Sequence, residues 1–69
     1  MPGTFKVITI VGTSSKSHAE AITNAVTEAA KTVRNLAWFE VKELRGAMRD
    51  GKITEYQATV AIGFKVERK

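Results

Sequence analysis

The alternation running through the last third of the chain restricts its fold more than any other feature. Tyr56, Ala58, Val60, Ile62, Phe64 and Val66 take every second position, and Glu55, Gln57, Thr59, Ala61, Gly63 and Lys65 take the positions between. A period of two belongs to a β-strand that buries one face, so Ile53 to Glu67 reads as a strand. Just before it, Asp50-Gly51 is a favoured pair for a two-residue hairpin, because glycine accepts the positive φ such turns require. An antiparallel partner therefore precedes it, beginning at Leu36-Ala37-Trp38-Phe39 and running towards Arg49. With Arg49 opposite Lys52, Val41 faces Val60 and Phe39 faces Ile62, and the two apolar sets share one face without adjustment.

The same register leaves Trp38, the only tryptophan, on the other face with Glu40, Lys42, Leu44, Gln57, Thr59 and Ala61. Gly63 lies directly across from it. A glycine inside a strand marks either a bend or the close approach of another group. An indole on a charged face has no local core to enter, so it must find its burial in a ligand, another subunit, or both. Strict alternation sends Arg45 to the apolar side; only a bulge or a neighbouring subunit near Arg45-Gly46 would bring it to the tryptophan face.

Upstream, Phe5-Lys6-Val7-Ile8-Thr9-Ile10-Val11 is β-branched and apolar and reads as a first strand stopping at Gly12. Val7 and Val11 fall on one face and Ile8 and Ile10 on the other, so both faces are expected to be partly covered. Ser17-His18-Ala19-Glu20 is a capping-box pattern that starts a helix near Ser17. Ile22, Val26, Ala29 and Val33 recur at helical spacing, while Ala19, Ala21, Ala25 and Ala30 keep the helix slim. With Asn35 as its stop, the helix has about 18 residues and spans roughly 27 Å. The order is strand, helix, strand, strand. A helix crossing between the first two strands makes them parallel, and the long third strand slots between them, antiparallel to both. The fold expected is α+β: a β-α-β-β protomer with a three-stranded sheet of order 1-3-2 packed on one helix, as a single domain over 1–69.

A chain of 69 residues gains little more from burial than it loses in ordering entropy, about 1.5 kcal/mol per residue. It has no cysteine and one histidine, so neither a disulfide nor a zinc site supplies the missing stability. Association is the remaining means. Eleven Lys and Arg against seven Asp and Glu give a net charge of +4, which favours an anionic partner, although the basic residues are spread along the chain. The start Met1-Pro2-Gly3-Thr4 has no charged region followed by an apolar stretch, and no run approaches membrane-spanning length, so the expected location is cytoplasmic, without a membrane partner.

Catalytic and metal-site patterns are weak. Gly12-Thr13-Ser14-Ser15-Lys16-Ser17 resembles the end of a phosphate-binding loop but lacks the first glycine and the glycine before the lysine, leaving a capped strand-to-helix turn. His18, in the first helical turn with no second histidine, reads as a solvent-exposed residue. Nothing fixes two of Glu40, Glu43 and Glu55 at a useful separation, and salt links with Lys42, Arg45 and Lys65 are their expected state. No catalytic residues and no metal ligands are assigned.

Trp38 and Gln57 differ in kind. An indole offers a stacking face, and a neutral amide carries both a donor and an acceptor, matching a planar heterocycle with imide-like edges. Three readings fit: a planar-ligand site, a plain subunit interface, and nucleic-acid bases stacked on a sheet.

Taken in order, the strand ending Val11-Gly12-Thr13-Ser14, the Ala-rich helix, Leu36-Ala37-Trp38-Phe39-Glu40-Val41, Arg45-Gly46, and Tyr56-Gln57 through Gly63-Phe64 make the chain resemble the dodecins, small flavoproteins of archaea and bacteria. The resemblance covers essentially the full length. It implies a hollow homododecamer of cubic symmetry that binds flavins in pairs on two-fold axes, for storage, buffering and photoprotection and not for catalysis. Trp38 would stack on the isoalloxazine, a symmetry-related Trp38 would close an aromatic sandwich, and Gln57 would hydrogen-bond the polar edge. Bacterial members favour FMN over riboflavin and other flavins, and the phosphate-holding positions correspond here to Arg45 and Lys65. Lys65 stands where relatives carry arginine, replacing a bidentate fork with a point charge. Some members also bind coenzyme A. Calcium-associated members lack the tryptophan, and Trp38 sets this chain apart from them. The alternatives are a small single-stranded nucleic-acid binder, whose affinity would fall steeply with salt, and a purely structural oligomer.

Overall fold

The computed structural model describes residues 3–67; the outermost two residues at each end of the expected 1–69 domain lie outside them. Four elements follow in the order β1 (Phe5–Ser14), α1 (His18–Ala30), β2 (Leu36–Arg49) and β3 (Lys52–Lys65). The strands form one sheet of order β1-β3-β2, and β3 is antiparallel to both neighbours. This is the expected architecture. Asp50 and Gly51 turn the β2–β3 hairpin with φ of 53° and 76°, the left-handed pair that a two-residue turn demands.

The core lies between the helix and the middle of the sheet. Ala58, Val60 and Ile62 of β3 are fully or almost fully buried beneath Ala21, Ala25 and Ala29 of α1, with Ile8, Ile10, Ile22, Val26 and Leu36 packed around them. Of the alanines expected to keep the helix slim, Ala21 and Ala25 are innermost together with Ala29 of the apolar stripe, whereas Ala19 and Ala30 are exposed; the larger Ile22 and Val26 flank the contact. Close approach is greatest at Gly12, where a Cβ would run into the carbonyl oxygen of Ala21 and the side chain of Ala25.

Three boundaries differ from those read in the sequence. β1 continues past Gly12 to Ser14, because Gly12, Thr13 and Ser14 still pair with Ala58, Gln57 and Tyr56. The helix has 13 residues, not about 18. It ends at Ala30 in a tight turn in which Thr32 and Val33 both donate to the Ala29 carbonyl, and Asn35, at φ 64°, redirects the chain into β2. Finally, β3 ends at Lys65, short of Glu67.

The shorter helix leaves part of the sheet bare. Phe39 and Val41, on the helix side of β2, are 54% and 36% exposed, and Leu44, Met48 and Ile53 are open further out along the hairpin. Val7 and Val11 are open on the far face, where none of the described residues gives the cover that the apolar pattern of β1 suggests. The hairpin extends as an arm, giving dimensions of 53 × 20 × 13 Å and a radius of gyration of 14.3 Å. A compact chain of this length would have a radius of gyration of about 11 Å.

Candidate functional site

The β2–β3 ladder opens with Leu36 opposite Phe64, skips Ala37, and from Trp38 takes the expected register, with Phe39 opposite Ile62 and Val41 opposite Val60, which it also holds at its end, with Arg49 opposite Lys52. Between those points it shifts by one residue. Lys42 has no partner on β3, and Thr54 has none on β2, so the two irregularities cancel. A one-residue shift exchanges the faces of every side chain within it. Glu43 and Arg45 therefore stand opposite Thr59 and Gln57, and Leu44 moves opposite buried Ala58. The grouping of Leu44 with the tryptophan face is corrected accordingly, and Arg45 reaches that face within its own subunit.

Arg45 meets a dense set of acceptors there. Its guanidinium donates to Thr59 Oγ1 at 2.6 Å, to Glu43 Oε1 at 2.7 Å and to Gln57 Oε1 at 3.4 Å. Gln57 in turn donates through Nε2 to Glu55 Oε1 at 2.9 Å. The chain Glu55–Gln57–Arg45–Glu43 fixes the Gln57 amide, with its nitrogen towards a carboxylate and its oxygen towards a cation. Of the expected salt links, Glu43–Arg45 is present and Glu40–Lys42 is present at 3.9 Å; Glu55 bonds Gln57 instead of Lys65.

Trp38 lies directly across from Gly63, as the register requires. The indole leans onto that glycine: a Cβ at 63 would fall among ring atoms Cδ2, Cε2 and Cζ2. The space beside the ring is thus occupied by the ring itself, and Trp38 remains 44% exposed on its outer side. Phe5 flanks it with ring centroids 5.2 Å apart and planes tilted by 49°. Lys65 pairs with Phe5 across the sheet, and its side chain passes over Gly3 beside the Phe5 ring.

All four residues assigned from the sequence, Trp38, Gln57, Arg45 and Lys65, therefore share one face, but they form two groups. Trp38 and Lys65 stand at one end, Arg45 and Gln57 at the other. Gly63 and Gln57 are six residues apart on β3, roughly 20 Å at strand rise. A small-molecule site is concave. A groove of about 520 Å³ lies instead between β1 and α1 and contains none of the four.

Three other features bear on chemistry. The loop before the helix uses its own amides: Ser14 Oγ accepts from the amides of Lys16 and Ser17, and Ser17 Oγ accepts from the Glu20 amide, so these donors are not turned towards an anion. His18 departs from the exposed position expected of it. It is half-buried, its ring packs edge-on against Tyr56 with centroids 5.0 Å apart, and its Nε2 lies 2.9 Å from the Arg45 carbonyl oxygen. Among the described residues, no group of three or more His, Cys, Asp or Glu side chains could hold a metal ion, and no helix is long and apolar enough to cross a membrane.

Sequence reasoning expected the Glu43–Arg45 link but missed Phe5, the bond of Glu55 to Gln57, the face taken by Glu43 and the packing of His18. Phe5 was legible in principle, since it shares the parity of Val7 and Val11 on the open face. Glu43 depended on the Lys42 bulge, and His18 on a contact 27 positions away in the chain.

Comparison with known proteins agrees with this geometry. The dodecin family model matches residues 4–67. A curated dodecin from Thermus thermophilus is 43% identical over 63 residues, covering 91% of each chain. The solved dodecin from Streptomyces davaonensis superposes with a TM-score of 0.94 at 41% identity, over 99% of this chain and 100% of that one. A calcium dodecin from Mycobacterium tuberculosis, described as calcium-chelating, superposes with a TM-score of 0.82 at 33% identity, over 96% of this chain and 94% of that one. Matched by the dodecin family model over residues 4–67 and similar in sequence and fold to these proteins over nearly its whole length, the chain belongs to the dodecin family.

Proposed function

We propose that this protein binds a flavin, with FMN preferred to riboflavin, and stores and buffers it in a homododecameric shell in the cytoplasm without turning it over. The observation that carries this reading is the placement of Trp38. A strand glycine lets the indole settle against the sheet while its outer side stays open, which prepares a stacking surface for a planar ring. At the far end of the same face, Gln57 presents an amide of fixed orientation for the polar edge of the isoalloxazine, and Arg45 supplies a cation for a phosphate. Lys65, at the Trp38 end, supplies a second cation. Because the two groups are separated along one face, a single flavin meets both only where additional copies of the chain contribute, and a symmetric assembly provides that closure. A symmetry-related Trp38 then completes an aromatic sandwich. Electron transfer from a stacked indole quenches the excited flavin, which gives the photoprotective role.

The calcium-chelating relative suggests a different ligand, but the acidic groups on this face are paired with Arg45, Lys42 and Gln57. Titrating FMN and riboflavin with the protein while following flavin fluorescence tests the proposal. Emission should fall and level off near one flavin per chain; emission that stays bright at stoichiometric protein would overturn it.

A further inference from the structure

We propose that His18 is a positioning residue for Arg45 and thereby sets the preference for a phosphorylated flavin over an unphosphorylated one. The inference rests on the flavin reading for its ligand. His18 is the only histidine of the chain, and it stands in the first turn of α1, on the helix side of the sheet. Its Nε2 lies 2.9 Å from the Arg45 carbonyl oxygen. A carbonyl can only accept, so Nε2 carries the hydrogen and donates it. The ring is held in place from the side by its edge-on contact with Tyr56, which pairs with Gly46, the next residue after Arg45.

The location of this tie is what gives it a role. Arg45 lies within the segment shifted by the Lys42 bulge, on β2, an edge strand with no neighbour on its outer side. Extended backbone beside a bulge has fewer ladder bonds to fix its direction. The imidazole bonds the backbone of the residue whose side chain holds Thr59, Glu43 and Gln57 on the opposite face. Backbone and guanidinium are thus fixed from the two sides of the sheet. An arginine fork grips a phosphate in two bonds only if its plane is held in advance. Riboflavin has the same ring system and no phosphate, so it calls on this arginine only indirectly, through the Gln57 amide that Arg45 helps to orient.

The test compares His18→Ala and His18→Gln with the unaltered protein, measuring FMN and riboflavin affinities by fluorescence quenching and Arg45 placement by crystal structures without flavin. His18→Ala should lower the preference for FMN over riboflavin by about three- to tenfold, in line with loss of one hydrogen bond, with any smaller loss shared by both flavins coming through Gln57. His18→Gln keeps an N–H at a similar reach and should restore the FMN preference. Equal weakening of both flavins, an unchanged preference in His18→Ala, or no recovery in His18→Gln would overturn the role. If the unaltered protein quenches neither flavin, the flavin reading fails instead, and the crystal structures decide about His18. A guanidinium displaced from Thr59 and Glu43 in His18→Ala and retained in His18→Gln supports the tie; one unmoved in both overturns it.

Discussion

Trp38 and Gly63 form a single unit. The glycine supplies the space and the indole fills it, so the ring is held against the sheet by a position that has no side chain of its own. Gly63→Ala should push the indole out of place and weaken flavin binding at least tenfold, with a small loss of thermal stability, because the displaced ring is already partly in solvent. Fluorescence titration beside a melting curve separates the two effects. Trp38→Ala should cost about 1–3 kcal/mol of binding, the range for a ring stacked on an aromatic platform. The pairing of Trp38 with Gly63 was legible in the sequence because Asp50-Gly51 fixed one end of the register and the apolar alternation fixed the other. The place of Arg45 was not. It depends on Lys42 and Thr54 dropping out of the ladder at two points whose effects cancel, so the flanking register carries no trace of the shift.

At the level of elements, the start of the helix was readable and its end was not. Ser17 caps the helix, its hydroxyl accepting from the Glu20 amide at 3.0 Å, while the Ser17 amide donates to Ser14 Oγ instead of the Glu20 carboxylate that a full capping box would use. Its replacement by alanine should lower stability by about 1 kcal/mol in denaturant unfolding. The apolar spacing continues through Val33, yet the helix stops at Ala30, where Lys31 and Thr32 donate three residues back to Glu28 and Ala29 in a tightened turn and Asn35 takes a left-handed backbone that feeds β2. The helix depends on β1 through Gly12, where the obstructing neighbour is the backbone oxygen of Ala21, which cannot swing aside. Gly12→Ala should therefore destabilise by about 1–3 kcal/mol, more than Ser17→Ala in the same measurement, since helix and strand must separate to admit the methyl.

The protomer as a whole has too much apolar surface outside its core to be complete alone. Phe39, Val41, Leu44, Met48 and Ile53 are exposed along the hairpin, Phe5, Val7 and Val11 on the open face, and the arm stretches the chain to 53 Å. Composition and length by themselves point to association, because a chain this short without cysteine has few other sources of stability. Which surfaces remain bare could not be read from alternation, since that depended on how far a helix about five residues shorter than its apolar spacing suggests would reach. Phe39→Asp should place a charge on the bare helix side of β2 and convert the assembly to smaller species on a sizing column. In the proposed flavin site, the same assembly brings the Trp38 end and the Gln57–Arg45 end together for one flavin. The most direct test is to size the purified protein after mixing with FMN while recording flavin absorbance and fluorescence across the elution. Flavin colour with quenched emission, co-eluting at the mass of twelve chains, is the predicted result; a flavin-free peak, with bright FMN eluting at its own small-molecule volume, would contradict the account.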